Sequence, residues 1–381
     1  MAVDVRKVES AQDRQVFFEF PWKLYRNDPN WVPPLLSMRH DLLNRQKNPS
    51  WEYMEGDHFI AWRGAEAVGT ITAFINHRHN EFHDEHIGWF GTFETIDDQE
   101  VASALLSTAA AWVKAQGYEA IRGPQSFTTH EECGLLVDGF LRPVILMPYN
   151  PPYYQKLVEG AGFTKAMDVY SFHLSRQRAM EVGTGDRLER LTKAVMKRNK
   201  VTIRPFDRHR RKEEFKLFKE IYNAAWEKNW GFVPMTPREL DALVNSLGTF
   251  FNPDFAFFAD VDGQPAGFVL AIPDFNQVLQ AAGPRPGTPE VVTLLKAAWH
   301  WKIRPIMDWA RIPLMGVKTE FRNKGVDAAL YHHVLQALLN DPMVQHSDSG
   351  WILEVNKDMV SIALSFGSTI YKTHRFYEQK C

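Results

Sequence analysis

The sequence predicts an α/β (α+β) chain in which one succession of strands and helices is used twice, and three observations carry that reading. The 381 residues are too many for one comfortable core and about right for two domains. Near the middle, "SRQRAMEVGTGDRLERLTKAVMKRNK" breaks the periodic pattern with a polar, Gly-containing patch and a charged helix. The elements on either side of that patch come in the same order without sharing residues, as an internal repeat does. The boundaries that follow are 1–176 for a first domain, 177–200 for a linker helix and 201–381 for a second domain.

In the first half, "VDVRKV" alternates as a short strand and leads through a helical segment rich in Trp and Pro. "HFIAWRGAEAVGTITAFI" reads as two β-rich runs around a turn, and "HIGWFGTFE" as a further strand. "QEVASALLSTAAAWVKAQG" sets Val101, Leu105, Ala109 and Trp112 on one helical face and stops at Gly117. A strand "YEAIRGP", a short helix "YYQKLVEGAGF" and a strand "DVYSFHL" complete the half. The second half repeats the order: strand "VTIRPF", helix "EEFKLFKEIYNAAWEKN", and a hairpin "FAFFADVDGQPAGFVLAIPD" turning on Asp262 and Gly263. After a Pro- and Gly-rich loop, "AAGPRPGTPE", come the strand "IPLMGVKTEF", a turn and helix, the strand "WILEVN", the short helix "MVSIALSFG" and the strand "STIYKTHRFYE".

Composition excludes several classes. Hydrophobic residues at 45% and charged residues at 24% describe a globular chain rather than a disordered one. A formal charge of −2 gives no general attraction for nucleic acid, so none is expected as a partner. The N-terminal stretch has no apolar core of a signal peptide, and no eighteen consecutive apolar residues occur, so no membrane span is expected and the expected location is cytoplasmic. Cys133 and Cys381 read as reduced thiols. "NHRHNEFHDEH" gathers His77, His79, His83 and His86, but no second cluster closes a coordination sphere, so no metal site is assigned.

The stretch "FRNKGVDAALYHHVLQALL" is a basic, Gly-containing turn that runs directly into a helix. Unpaired N–H groups and the positive dipole end make a helix start an anion site. Gly325 lets main chain approach the anion, Arg322 and Lys324 supply charge, and Ala328, Tyr331, Leu335 and Leu338 hold the helix against a core. Set between the strand "IPLMGVKTEF" and a later strand ending near Asn356, this turn resembles the GNAT superfamily of acyl-CoA-dependent N-acyltransferases. The resemblance implies two tandem GNAT-like domains, each a mixed, mostly antiparallel sheet flanked by helices. It also implies acetyl-CoA or acyl-CoA as cofactor. Arg322 and Gly325 fall on the superfamily's diphosphate-binding pattern, with Asn323, Lys324 and Val326 in the same turn. Met315, Gly316 and Val317 would run beside pantetheine, and Asn356 matches an Asn found at that strand end. Asp327 departs from the pattern, standing where Gly or Ala is usual, and a carboxylate suits the place only by turning away or capping the helix. The first half resembles the fold more loosely. Its corresponding turn, "TIDDQEVA", has no Gly and three acidic side chains, so no coenzyme is expected there. Val158 falls where a catalytic Tyr often stands.

Acyl transfer to an amine needs a base, an oxyanion donor and an acid for the thiolate. "FTTHEECGLL" offers His130, Glu131 and Glu132 as base candidates, or is a surface turn with solvated carboxylates. "IYKTHRFYE" alternates Tyr371, Thr373, Arg375 and Tyr377 against Lys372, His374 and Phe376. By resemblance Tyr371 or Tyr377 is the general acid; otherwise the rings cover a sheet edge. Trp226, Trp230 and Phe232 line an acyl channel or pack a core. The linker helix, with Leu188, Leu191 and Val195 on one side, is a packed charged linker or rests on an anionic membrane surface. The implied reaction is N-acyl transfer to a small-molecule or lipid-like amine by direct attack, long-chain acylation of a sphingoid amine included, as in the similar bacterial ceramide synthases. The alternatives are a non-catalytic acyl-CoA-binding or scaffold protein and, less suited to the near-neutral charge, aminoacyl transfer from tRNA.

Overall fold

The computed structural model describes residues 2–182, 186–226 and 229–381, the side chains at 186–188, 191, 246, 247, 249 and 250 excepted. Part of the expected interdomain patch, 183–185, lies outside the described residues. The chain divides into two compact units. Unit 1 is Met1–Val169, Val278–Pro305 and Lys372–Cys381, and unit 2 is Tyr170–Gln277 and Ile306–Tyr371. Unit 1 therefore takes the segment 278–305 and the last strand from the part of the sequence assigned above to the second domain.

Unit 1 is built on β1 (Val3–Lys7), β2 (Met54–Arg63), β3 (Glu66–Asn76), β4 (Ile87–Thr95), β5 (Ala120–Gly123), β6 (Leu135–Asp138) and the first half of β7 (Thr164–Ser175). β1 to β4 pair antiparallel in sequence order, and β4 pairs parallel with β5. The β2–β3 hairpin turns at Gly64, whose φ of 65° suits a residue without a Cβ. The helix Gln99–Ala115 crosses between the parallel strands. Its stripe Val101, Leu105 and Ala109 is fully buried, each leucine-sized side chain contributing about 2 kcal/mol by leaving water. Trp112 sits at the margin of that core, its indole N–H donating to Asp57 (2.9 Å).

Unit 2 repeats the plan with β8 (Val201–Pro205), β9 (Ala256–Val261), β10 (Gln264–Pro273), β11 (Trp309–Val317) and β12 (His346–Leu353). Three antiparallel pairings are again followed by one parallel pairing, β11 with β12. Here the crossover helix is Val326–Asn340. Tyr331, Leu335 and Leu338 are buried as expected, but Ala328 is half-exposed and Ala329 takes the inward place, beside Val326 and Leu330. The inward arc is wider than a single stripe, because this helix packs over β9, β10 and β11 at once.

The last strand, β13 (Thr369–Lys380), pairs antiparallel with β5 and β6 in unit 1. A register shift between Thr373 and His374 leaves the extra residue, Val137, in β6. Lys372, His374 and Phe376 are buried in the expected alternation, and Tyr377 lies beside Arg375, whose guanidinium is 5.9 Å from its ring centre.

Candidate functional site

The candidate site in unit 2 begins where two strands part. β11 pairs with β12 only from Trp309 to Ile312, against His346 to Ser349. On its other side β11 stays paired with β10 as far as Val317. From Pro313 to Val317 one edge of β11 thus has no strand beside it among the described residues, and its main-chain groups are available to an extended ligand. Met315 and Val317 turn toward the core under the crossover helix. Gly316 faces the other way. A Cβ there would lie 2.7 Å from the Cβ of Ala225, so the missing side chain lets the helix Arg211–Trp226 close on the strand.

The strand leads into the basic turn. Asn323 and Gly325 both have positive φ, 61° and 75°, and Gly325 caps the helix without any side-chain bond. Among the described residues no protein group accepts from the main-chain N–H groups of Asn323, Lys324, Gly325, Val326 or Asp327. Asn199 Nδ2 donates to the Lys324 carbonyl (2.8 Å) and so fixes the turn from outside. Asp327 Oδ1 accepts from the Ala328 N–H (2.9 Å), so this carboxylate is engaged with the helix's own first turn. Arg322 is exposed and donates through Nη2 to the Ala225 carbonyl (2.7 Å); Lys324 Nζ lies 5.1 Å from the Phe321 ring centre. Asn356 caps the helix Lys357–Ser365, its Oδ1 accepting from Met359 N–H (3.3 Å), which leaves its amide N–H groups as donors.

Beside the point of parting lies a buried polar group that sequence reasoning missed except for Tyr371. Arg311 and Asp348, paired in register and almost wholly buried, form an ion pair (3.2 Å). The Tyr371 hydroxyl donates to Asp348 Oδ2 (2.9 Å). Burial and the Asp348 charge push the Tyr371 phenol far up, which makes it a fixed donor rather than a ready acid for a thiolate. His173 and His346 bond ring to ring (3.1 Å), each stacked on Trp309 with centres 4.9 Å apart. Trp226 and Phe232 belong to an aromatic cluster with Tyr222 and Phe268.

The corresponding turn of unit 1 is closed. Asp98 caps its helix, Oδ1 accepting from Glu100 and Val101 (2.9 and 3.3 Å), while Oδ2 pairs with Arg63 (2.9 Å). Val158 is core. The loop 126–133 carries the three base candidates. Glu131 accepts from the Thr128 N–H and from Asn48 Nδ2 (3.2 Å each), and the His130 N–H donates to Thr128 Oγ1 (3.3 Å). Glu132 instead shares a charged neighbourhood with Arg39 and Glu94, which sequence reasoning did not foresee. Glu94 Oε2 accepts from the hydroxyls of Tyr25 (2.6 Å) and Tyr154 (2.8 Å). Desolvation raises the Glu94 pKa to about 7, against the pull of those donors and of Arg39; it raises Glu132 as well, again opposed by Arg39. Tyr377 is buried in the unit 1 core with its hydroxyl donating to Glu159 (2.9 Å), and burial followed by that carboxylate raises its pKa. Cys133 is buried.

The four histidines have separate tasks: His79 Nε2 bonds Glu85 (2.8 Å) and its ring packs on His83, His77 Nε2 reaches Glu55 (3.2 Å), and His86 stacks on Tyr118. Among the described residues no three His, Cys, Asp or Glu side chains are placed to hold a metal ion, and no helix is long and apolar enough to cross a membrane. Leu188 and Leu191 of the linker helix have side chains outside the described residues; Val195 lies where a Cβ on Gly325 would meet it, at 2.4 Å.

Two units of one topology, with a strand pair that parts above an uncapped helix in the second, define a tandem GNAT fold. Solved structures agree. The chain is similar to a tandem GNAT protein from the clavulanic acid biosynthesis pathway, at 12% identity and TM-score 0.53, covering 99% of this chain and 98% of that one. It is also similar to a GCN5-related N-acetyltransferase from Sphaerobacter thermophilus, at 10% identity and TM-score 0.51, covering 99% and 95%. No protein-family model matches. Protein YghO of Escherichia coli is 33% identical over 381 residues, 99% of this chain and 95% of that protein. A bacterial ceramide synthase of Caulobacter vibrioides is 33% identical over 385 residues, 99% and 97%. The chain belongs to one family with these two bacterial proteins, a family of tandem GNAT chains.

Proposed function

We propose that this protein is an acyl-CoA-dependent N-acyltransferase that moves an acyl group from coenzyme A to an amine. The observation that carries the reading is the contrast between two equivalent turns. The turn of unit 1 caps its helix with Asp98, whereas that of unit 2 leaves the N–H groups of residues 323–327 without a protein acceptor among the described residues, beside a strand edge that is open among them. Those N–H groups suit a diphosphate, with Lys324 and Arg322 adding charge; the edge from Met315 to Val317 suits pantetheine. Coenzyme A supplies an activated thioester. The amine nitrogen attacks its carbonyl carbon, the C–S bond breaks, and the proton shed by nitrogen ends on the departing thiolate. Tyr371 and Tyr377 are already donors to carboxylates. The name of the Caulobacter relative supports a long-chain, lipid-like amine as acceptor, with a long acyl chain as donor.

Calorimetric titration with coenzyme A tests this. Micromolar binding that is lost in Gly325→Arg, together with thiol release from acyl-CoA on adding a long-chain amino alcohol, is the expected result. No heat with the unaltered protein would leave a scaffold on a GNAT fold.

A further inference from the structure

In unit 1, the helix Glu290–Ala298 and the wider turn Trp299–Ile303 that continues it are built inside out. Of the helix, only the small Thr293 and Ala297 are buried. Val291, Leu295, Trp299 and Ile303, spaced four apart and so stacked on one face, are 61%, 67%, 53% and 67% exposed, with Leu294 beside them at 48%. An outward row of large apolar side chains of this length is not the ordinary scatter of surface leucines.

Its charges point to what covers it. Between 278 and 305 stand Arg285, Lys296, Lys302 and Arg304 against one carboxylate, Glu290, in a chain whose formal charge is −2. That carboxylate is already engaged, accepting from the Ser37 N–H (2.8 Å) and Oγ (2.6 Å). Long cationic side chains bordering an apolar row, with Trp299 and Trp301 toward one end, match the boundary between headgroups and acyl chains. A second copy of this chain docked by a two-fold axis would instead set these cations against their own equivalents.

We infer that the segment 290–304 is a docking surface for an anionic lipid bilayer, lying in the headgroup plane without crossing it. This differs from the membrane contact considered for the linker helix, and it does not depend on the acyltransferase reading, because vesicle binding is measured without coenzyme or amine.

The test is co-sedimentation of the full chain with phosphatidylcholine vesicles, with and without 30% phosphatidylglycerol. The expected result is binding that is at least tenfold tighter to the anionic vesicles and falls with salt. Leu295→Glu should weaken it at least tenfold. Lys296→Glu with Lys302→Glu should abolish the preference for anionic lipid. All these side chains are remote from the core, so an unchanged melting temperature shows that folding is intact. Equal binding by the variants and the unaltered protein, or no binding by the latter, overturns the inference. So does a concentration-dependent dimer in light scattering that Leu295→Glu dissociates while vesicle binding is absent.

Discussion

Glu94 ties the folding of unit 1 to pH in a way that a single substitution exposes. Its Oε2 takes both tyrosine hydroxyls, so a proton is most easily held on Oε1. The folded protein holds that proton up to about pH 7, whereas the unfolded carboxyl loses it near 4.5. The folded pKa is the higher one, so this group's stabilisation is complete below pH 4.5 and lost as pH rises through 7. Each pKa unit is worth about 1.4 kcal/mol, which gives about 3 kcal/mol, and screening by solvent at this partly exposed carboxyl lowers this toward about 2 kcal/mol. Glu94→Gln keeps the shape, still accepts from Tyr25 and Tyr154, and has nothing to titrate. His58 acts in the opposite sense: desolvation lowers its pKa to about 4, so its contribution is lost as pH falls from 6.5 toward 4. The two proteins share that effect, and it cancels in their difference. Urea unfolding at intervals from pH 4.5 to 8.5 should show the unaltered protein losing 2–3 kcal/mol relative to Glu94→Gln over this range, by the same estimate. Parallel curves for the two proteins would mean that Glu94 is ionised throughout, and the argument from its burial would fail.

Two further outcomes follow from packing. Gly325→Ala should cost about 1–2 kcal/mol for placing a Cβ at positive φ, and more for the contact with Val195; Val195→Ala should recover the second part only, as read from urea midpoints. Arg311→Met should cost about 3 kcal/mol or more by leaving the buried Asp348 charge without its cation, and Asp348→Asn in that background should return part of the loss in thermal melts.

Much of the fold is written in local pattern. The stripe of the helix Gln99–Ala115, the hairpins and the Gly325 turn are legible because periodicity and positive φ leave marks within a few residues. The segment 290–303 shows the limit. A reading along the chain passes from the Pro-rich loop to the strand after it, because this helix turns its large apolar residues outward and gives no inward stripe to recognise. At the site, the turn was visible because its residues are contiguous. Glu94, Tyr25 and Tyr154 were not, since Glu94 stands 69 and 60 positions from its two partners. The role of Asp327 in its own helix is likewise a matter of side-chain direction, which residue type leaves open.

The pairing of β5 with β13 has a consequence for biosynthesis. Arg122 bonds Glu378 across 256 positions of sequence, so the sheet of unit 1 acquires its β5 neighbour only after all of unit 2 has emerged from the ribosome. Until then the rim of β5 stands bare, a nascent edge on which chaperones or stray strands can act. Splitting the gene between its halves would therefore yield fragments that must find each other before either is whole.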